Sequence, residues 1–122
     1  IDFFAYSPLS FGILCIDPDK EENKEKSFIR NALFENYKKP TYELRRCIKK
    51  IANQRSVSQA QVAINWCCYQ GTVPLVGMRK KSQVIDVSNV FKWNLNKEEF
   101  KLLQEVSKSC LKKMPKNPFS SI

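Results

Sequence analysis

The glycine-bracketed run QVAINWCCYQGTVPLVGMRKKSQVID, from Gln61 to Asp86, constrains this chain more than any other stretch. Over residues 61–70 the apolar positions Val62, Ala63, Ile64, Trp66, Cys67 and Cys68 cover most of a helical circumference, which predicts a helix covered by neighbours on several sides. Gly71 stands where a left-handed cap is expected to end that helix. Residues 72–76 are apolar and β-branched, too short for a helix and bounded by Gly71 and Gly77; they predict a short buried strand in the middle of a parallel sheet. A helix-to-strand step followed by a strand-to-helix step is the repeating unit of an α/β fold.

The turn after this strand is where chemistry would sit. Gly77 allows a positive φ or a close approach by a ligand, and the free amides opening the next helix, predicted over residues 82–90, form a phosphate seat. Met78 comes next, and then Arg79, Lys80 and Lys81 place three cations beside it. The residues alone fit two readings, a solvated basic loop and an anion site.

Three separated motifs, AYSPLSFGIL at the start of the chain, AQVAINW in the helix and GTVPLVGMRKKSQVID after it, resemble the C-terminal part of the aldo-keto reductase family and stand in that family's order. The wording INWCCYQGTVP is particularly close to plant-type members, including pyridoxal reductases. The resemblance covers roughly residues 3–106 and implies a (β/α)₈ barrel, a fold that typically needs about 250 residues. The 122 residues here are therefore expected to be the C-terminal portion of such a barrel, about its last two strands with their helices, incomplete on its own. Residues 1–110 would form that part of the oxidoreductase domain, with a charged loop at about 16–40, and residues 111–122 a tail.

Composition narrows the alternatives. The net charge of +9, from 21 basic and 12 acidic residues, admits an anionic ligand, nucleic acid or an acidic surface. The lysines are dispersed, and neither an aromatic single-strand platform nor a helix-turn-helix pattern accompanies them, so nucleic acid is not an expected partner. Five cysteines without CxxC spacing, in a chain with no histidine, read as buried, reduced thiols rather than metal ligands. No apolar run is long enough to span a bilayer. The expected location is the cytoplasm, or a plastid where an upstream targeting segment exists.

Residues 1–6, IDFFAY, read as a core strand that Ser7-Pro8 ends, because proline cannot donate to a ladder. By resemblance this is the mouth of the seventh barrel strand, where Tyr6 stacks on the nicotinamide of NADPH, and Ser7, Pro8, Leu9 and Gly12 line its ribose and pyrophosphate. Where the family continues with a Thr-Gly-Lys type sequence, this chain has Cys15, Ile16 and Asp17. Residues 17–27 are charged and predict a solvated loop; Phe28, Leu33 and Phe34 are expected to pin the next segment to the barrel rim. Leu44, Cys47, Ile48 and Ile51 recur at helical spacing over residues 42–54, with Arg45, Arg46, Lys49 and Lys50 on a face expected to be solvated. Ser58 is expected to cap the central helix. The resemblance also implies that the positions of Arg79, Gln83, Asp86 and Val87 surround the adenosine and its 2′-phosphate, with Gly77, Met78 and Lys80 also binding the cofactor, while Val87 stands where the family has an adenine-reading asparagine. Residues 91–95 are expected to be extended. Asn96 should cap a helix over residues 97–109, and Phe119 in the tail is a candidate border of the substrate pocket.

The resemblance implies reduction of an aldehyde or ketone to an alcohol, with a tyrosine acid supported by lysine, aspartate and histidine in the first half of the barrel. Without histidine this chain cannot hold that set, so no catalytic residue is expected in it. The reading is the cofactor-binding part of an NADPH-dependent reductase that needs its N-terminal barrel half and a small carbonyl substrate as partners. The alternatives are a non-catalytic NADP(H)-binding regulatory subunit and an inactive fragment.

Overall fold

The structure, a computed structural model, describes residues 1–20, 32 and 35–114. Phe28, Leu33, Phe34 and Phe119 lie outside the described residues. The elements run in the order strand β1 (Phe3–Tyr6), a first 3-10 turn (Ser10–Cys15), helix α1 (Tyr42–Arg55), helix α2 (Gln59–Tyr69), strand β2 (Thr72–Leu75), helix α3 (Lys81–Ser88), a second 3-10 turn (Asn89–Lys92) and helix α4 (Lys97–Leu111). β1 and β2 pair in parallel, as an α/β chain requires, with Tyr6 opposite Leu75.

Local chemistry sets the boundaries. The Ser58 hydroxyl accepts from the Gln61 amide at 3.1 Å and caps α2. Gly71, at φ 75°, turns the chain out of that helix in the left-handed conformation. Asn96 and Glu99 cap α4 reciprocally, Asn96 Oδ1 accepting from Glu99 N and Glu99 Oε2 accepting from Asn96 N, both at 2.8 Å. Ser56 closes α1 at φ 53° while Val57 N donates to Ala52 O at 3.0 Å. That is a helix end usually given to glycine.

Four expectations need correction. Gly77 has no positive φ, and a Cβ there would meet open space, so the turn after β2 asks nothing special of it. Phe91 and Lys92 are not extended but belong to the second 3-10 turn, which buries Val90 and leaves Phe91 outside. The basic face of α1 is not uniformly solvated. Arg45 is 4% exposed, its Nε donating to Thr41 Oγ1 at 3.2 Å and its Nη2 to Lys38 O at 2.7 Å, and Lys49 Nζ reaches both Asp17 and Asp19 at 2.7 Å. The Lys49 contacts hold the residues after the first 3-10 turn to α1, and the bond to Asp17 keeps that carboxyl below its usual range.

The fourth correction concerns both strands: β1 is not a core strand and β2 is not a buried one, since Phe3, Phe4 and Tyr6 are exposed along with Val73 and Leu75. In a parallel pair opposite residues share a face, so Phe4, Tyr6, Val73 and Leu75 form one side of the sheet and Phe3, Ala5, Thr72 and Pro74 the other. The second side lies nearer α2, where Thr72 Oγ1 donates to Cys67 O at 2.8 Å. All four residues of the first side are exposed. Among the described residues two strands make the whole sheet, and none of them covers that face. The buried core lies instead among the helices. Ile48 and Ile51 of α1, Val62 and Ala63 of α2 and Leu103 of α4 meet Ile13 and Leu14 of the first 3-10 turn and Ile16 just after it.

Candidate functional site

Because β1 and β2 run parallel and end level, at Tyr6 and Leu75, the segments after them leave the same edge of the sheet side by side. The crevice outside the carboxyl ends of parallel strands is where open α/β sheets take their ligands. After β1 the backbone turns tightly. Ser7 at φ 52°, Ser10 at φ 48° and Gly12 at φ 94° lie in the left-handed region, and Ser10 N donates to Ser7 O and Gly12 N to Leu9 O, both at 2.9 Å. Left-handed serines each cost about 1–3 kcal/mol, and the buried Ile13 and Leu14 just beyond hold the turn in place. Tyr6 stands at its head with 82% of its surface exposed, and Ser7, Pro8 and Leu9 are half-buried.

After β2, Gly77, Met78, Arg79, Lys80 and Lys81 are all exposed. Gln83 folds back over them, its Oε1 accepting from Arg79 N at 2.8 Å and from Lys80 N at 3.0 Å. The two backbone amides just before the helix are therefore held by one of that helix's side chains. The turn keeps its shape, and the cationic side chains of Arg79 and Lys80 extend from a fixed backbone.

Asp86 faces the other way. Its Oδ2 accepts from Ser58 Oγ at 2.6 Å and its Oδ1 from Gln61 Nε2 at 2.7 Å, so both oxygens are taken by the first turn of α2. Gln61 is buried and its Oε1 accepts from Trp93 Nε1 at 3.0 Å. Gln59, from the same turn, donates to Leu14 O at 3.0 Å and Ile16 O at 3.3 Å. Sequence reasoning missed Gln59, Gln61 and Trp93. The signal for Gln61 was present, since Ser58 and Gln61 have the spacing of a capping box, but its side chain serves α3 instead of returning to the cap. Val87 is half-buried.

Cys15 closes this group. The residue reaches the surface, yet desolvation of the sulfur, and second the Asp86 charge, push its thiol up to about 11. Desolvation does the same to Cys47, also to about 11, only weakly opposed by Lys50. The fold holds both protons more tightly than the unfolded chain, whose thiols titrate at about 8.5. Stability is thus fully in place below that value and is lost as pH rises toward about 11. The urea midpoint should be flat to about pH 8 and fall between about pH 9 and 11, and replacing Cys15 and Cys47 by serine and alanine should reduce that slope.

The family model described as Aldo/keto reductase family matches residues 1–108. The chain is 31% identical over 121 residues to a protein of Arabidopsis thaliana named pyridoxal reductase, chloroplastic, a match covering 99% of this chain and 33% of that protein. A Saccharomyces cerevisiae protein named provisionally as an aryl-alcohol dehydrogenase is 24% identical over 107 residues, covering 86% of this chain and 31% of its own length. A Schizosaccharomyces pombe protein with the same provisional activity in its name is 28% identical over 110 residues, 86% of this chain and 33% of its length. The chain spans about a third of the length of the curated relatives it matches.

Proposed function

The chain belongs to the aldo/keto reductase family, and from that premise we propose that it is the C-terminal, cofactor-binding portion of a (β/α)₈ barrel that reduces an aldehyde or ketone with NADPH. One observation carries the reading. The level ends of β1 and β2 bring the Ser7–Gly12 turn beside the Gly77–Lys80 turn, so two motifs some seventy residues apart in sequence lie at a single edge. A barrel's chemistry is built at that end of its strands.

The groups present suit a phosphorylated dinucleotide. An exposed tyrosine ring at the head of one turn offers a stacking face. Three exposed cations at the head of the other offer a counter-charge to a 2′-phosphate. When bound, the dinucleotide supplies a hydride to the carbonyl carbon. Tyr6 would hold the nicotinamide end, Ser7, Pro8, Leu9 and Gly12 would line the ribose and pyrophosphate, and Arg79 with Lys80 would hold the adenosine phosphate, their backbone amides braced by Gln83. The family resemblance implies that the proton donor and its supporting groups come from the first half of the barrel, and without histidine this chain cannot hold the full set. That half would cover Phe4, Val73 and Leu75, whose open apolar face suits a barrel interior filled by layers of side chains.

Titration of the natural-length protein, followed through its tryptophan emission, should give saturable binding of NADPH and weaker binding of NADH. A flat response to both nucleotides overturns the reading.

A further inference from the structure

We propose that the first turn of α2 is the positioning element of the site, and that Asp86 is the residue through which it fixes the cationic turn, an inference that rests on the dinucleotide reading above. Helix α3 buries none of its own side chains. What ties it to the body is the pair of bonds from Asp86 to Ser58 and Gln61, together with Val90 just beyond it, which is 2% exposed and whose carbonyl accepts from Asn65 Nδ2 at 3.3 Å. Three residues before Asp86, one helical turn away, Gln83 grips the amides of Arg79 and Lys80. The attitude of the arginine turn therefore depends on where Asp86 is held.

The opposite wall of the site is fixed from the same place. Gln59 bonds the carbonyls of Leu14 and Ile16, which close the turn after Tyr6. One helical turn thus sets both walls, with Trp93 holding Gln61 in its rotamer at 3.0 Å. Both oxygens of Asp86 are engaged inward, so its role is to orient Arg79 rather than to touch the nucleotide, a departure from what the family resemblance implies for that position.

The two roles predict different losses. A carboxylate touching the adenosine would serve NADPH and NADH alike, whereas one that orients Arg79 matters only where there is a 2′-phosphate to meet. In the natural-length protein, Asp86→Ala should weaken NADPH roughly five- to tenfold and NADH less than about twofold. Asp86→Asn, whose carbonyl can still accept from Gln61, should give a smaller loss of the same selectivity, and serves as the readout if the alanine variant does not fold. In an Arg79→Ala background the Asp86 substitutions should have no further effect on the NADPH to NADH ratio. Equal losses for the two nucleotides, or full additivity with Arg79→Ala, overturn the positioning role. A wild-type protein that binds neither nucleotide overturns instead the reading on which it rests.

Discussion

Leu103→Ala is expected to lower the stability of the helical layer by about 3–5 kcal/mol, the range for removing a buried leucine side chain whose surroundings cannot collapse. Leu103 has no exposed surface and sits in the cluster with Ile48, Ile51 and Val62, themselves at 0%, 1% and 0%. Helix α4 buries only one other residue, Cys110, so Leu103 is its main anchor to α1 and α2. Against a typical total of about 5–15 kcal/mol for a domain, the loss is a large fraction of what holds the fold. Urea denaturation read through tryptophan emission should show a marked fall in midpoint. Leu102→Ala, at a position 40% exposed, should cost less than about 1 kcal/mol. Similar losses for the neighbours would show that α4 is not seated through Leu103.

Much of this architecture was legible in the chain because local and tertiary demands agree there. The apolar wrap of Val62, Ala63, Ile64, Trp66, Cys67 and Cys68 called for a helix buried on several sides; the first three are buried and the last three only half-buried. Asn96 announced the start of α4, and the structure adds the return bond from Glu99. Ser58 and Gly71 bracket α2 as their chemistry requires. Where reading failed, long-range contacts decided. Arg45 looked like part of a charged outer stripe, but the segment 37–41 folds over it and supplies Thr41 Oγ1 and the Lys38 carbonyl. Lys49 is drawn out of the same stripe by two aspartates about thirty residues earlier. No periodicity encodes such pairings.

The candidate site divides in the same way. Its two motifs were visible because turn chemistry is local, Ser-Pro after one strand and a basic run after the other. That they share an edge comes only from parallel pairing and register. The direction in which each polar side chain turns was not readable. Gln83 and Asp86 lie on one short helix, yet one braces the turn before it and the other reaches back to α2, because their partners come from different parts of the chain. Gly77 was overread. A glycine between an apolar strand and a basic run suggested a special backbone, whereas its φ is ordinary and the space around it open.

Arg79→Ala should weaken NADPH binding at least tenfold while leaving NADH nearly unchanged. The side chain is exposed, and its backbone amide is fixed by Gln83 Oε1 at 2.8 Å, so the guanidinium projects from a braced turn rather than a loose one. A charge-assisted bond from such a group to a 2′-phosphate contributes about 1.5–3 kcal/mol, or roughly ten- to a hundredfold in affinity. NADH has no phosphate at that position and so loses nothing. Two further measurements test whether charge alone or the planar fork carries the effect. Arg79→Lys keeps the cation and forfeits bidentate geometry, so it should fall between wild type and alanine. Raising the salt concentration should narrow the NADPH preference of the wild type, since an exposed cation is screened over a Debye length of about 8 Å at physiological ionic strength. Equal weakening of both nucleotides by Arg79→Ala would mean that the residue supports the turn and does not read the phosphate. A preference that survives Arg79→Ala and disappears with Lys80→Ala would move the recognition one residue along the same turn, to the other cation whose amide Gln83 holds.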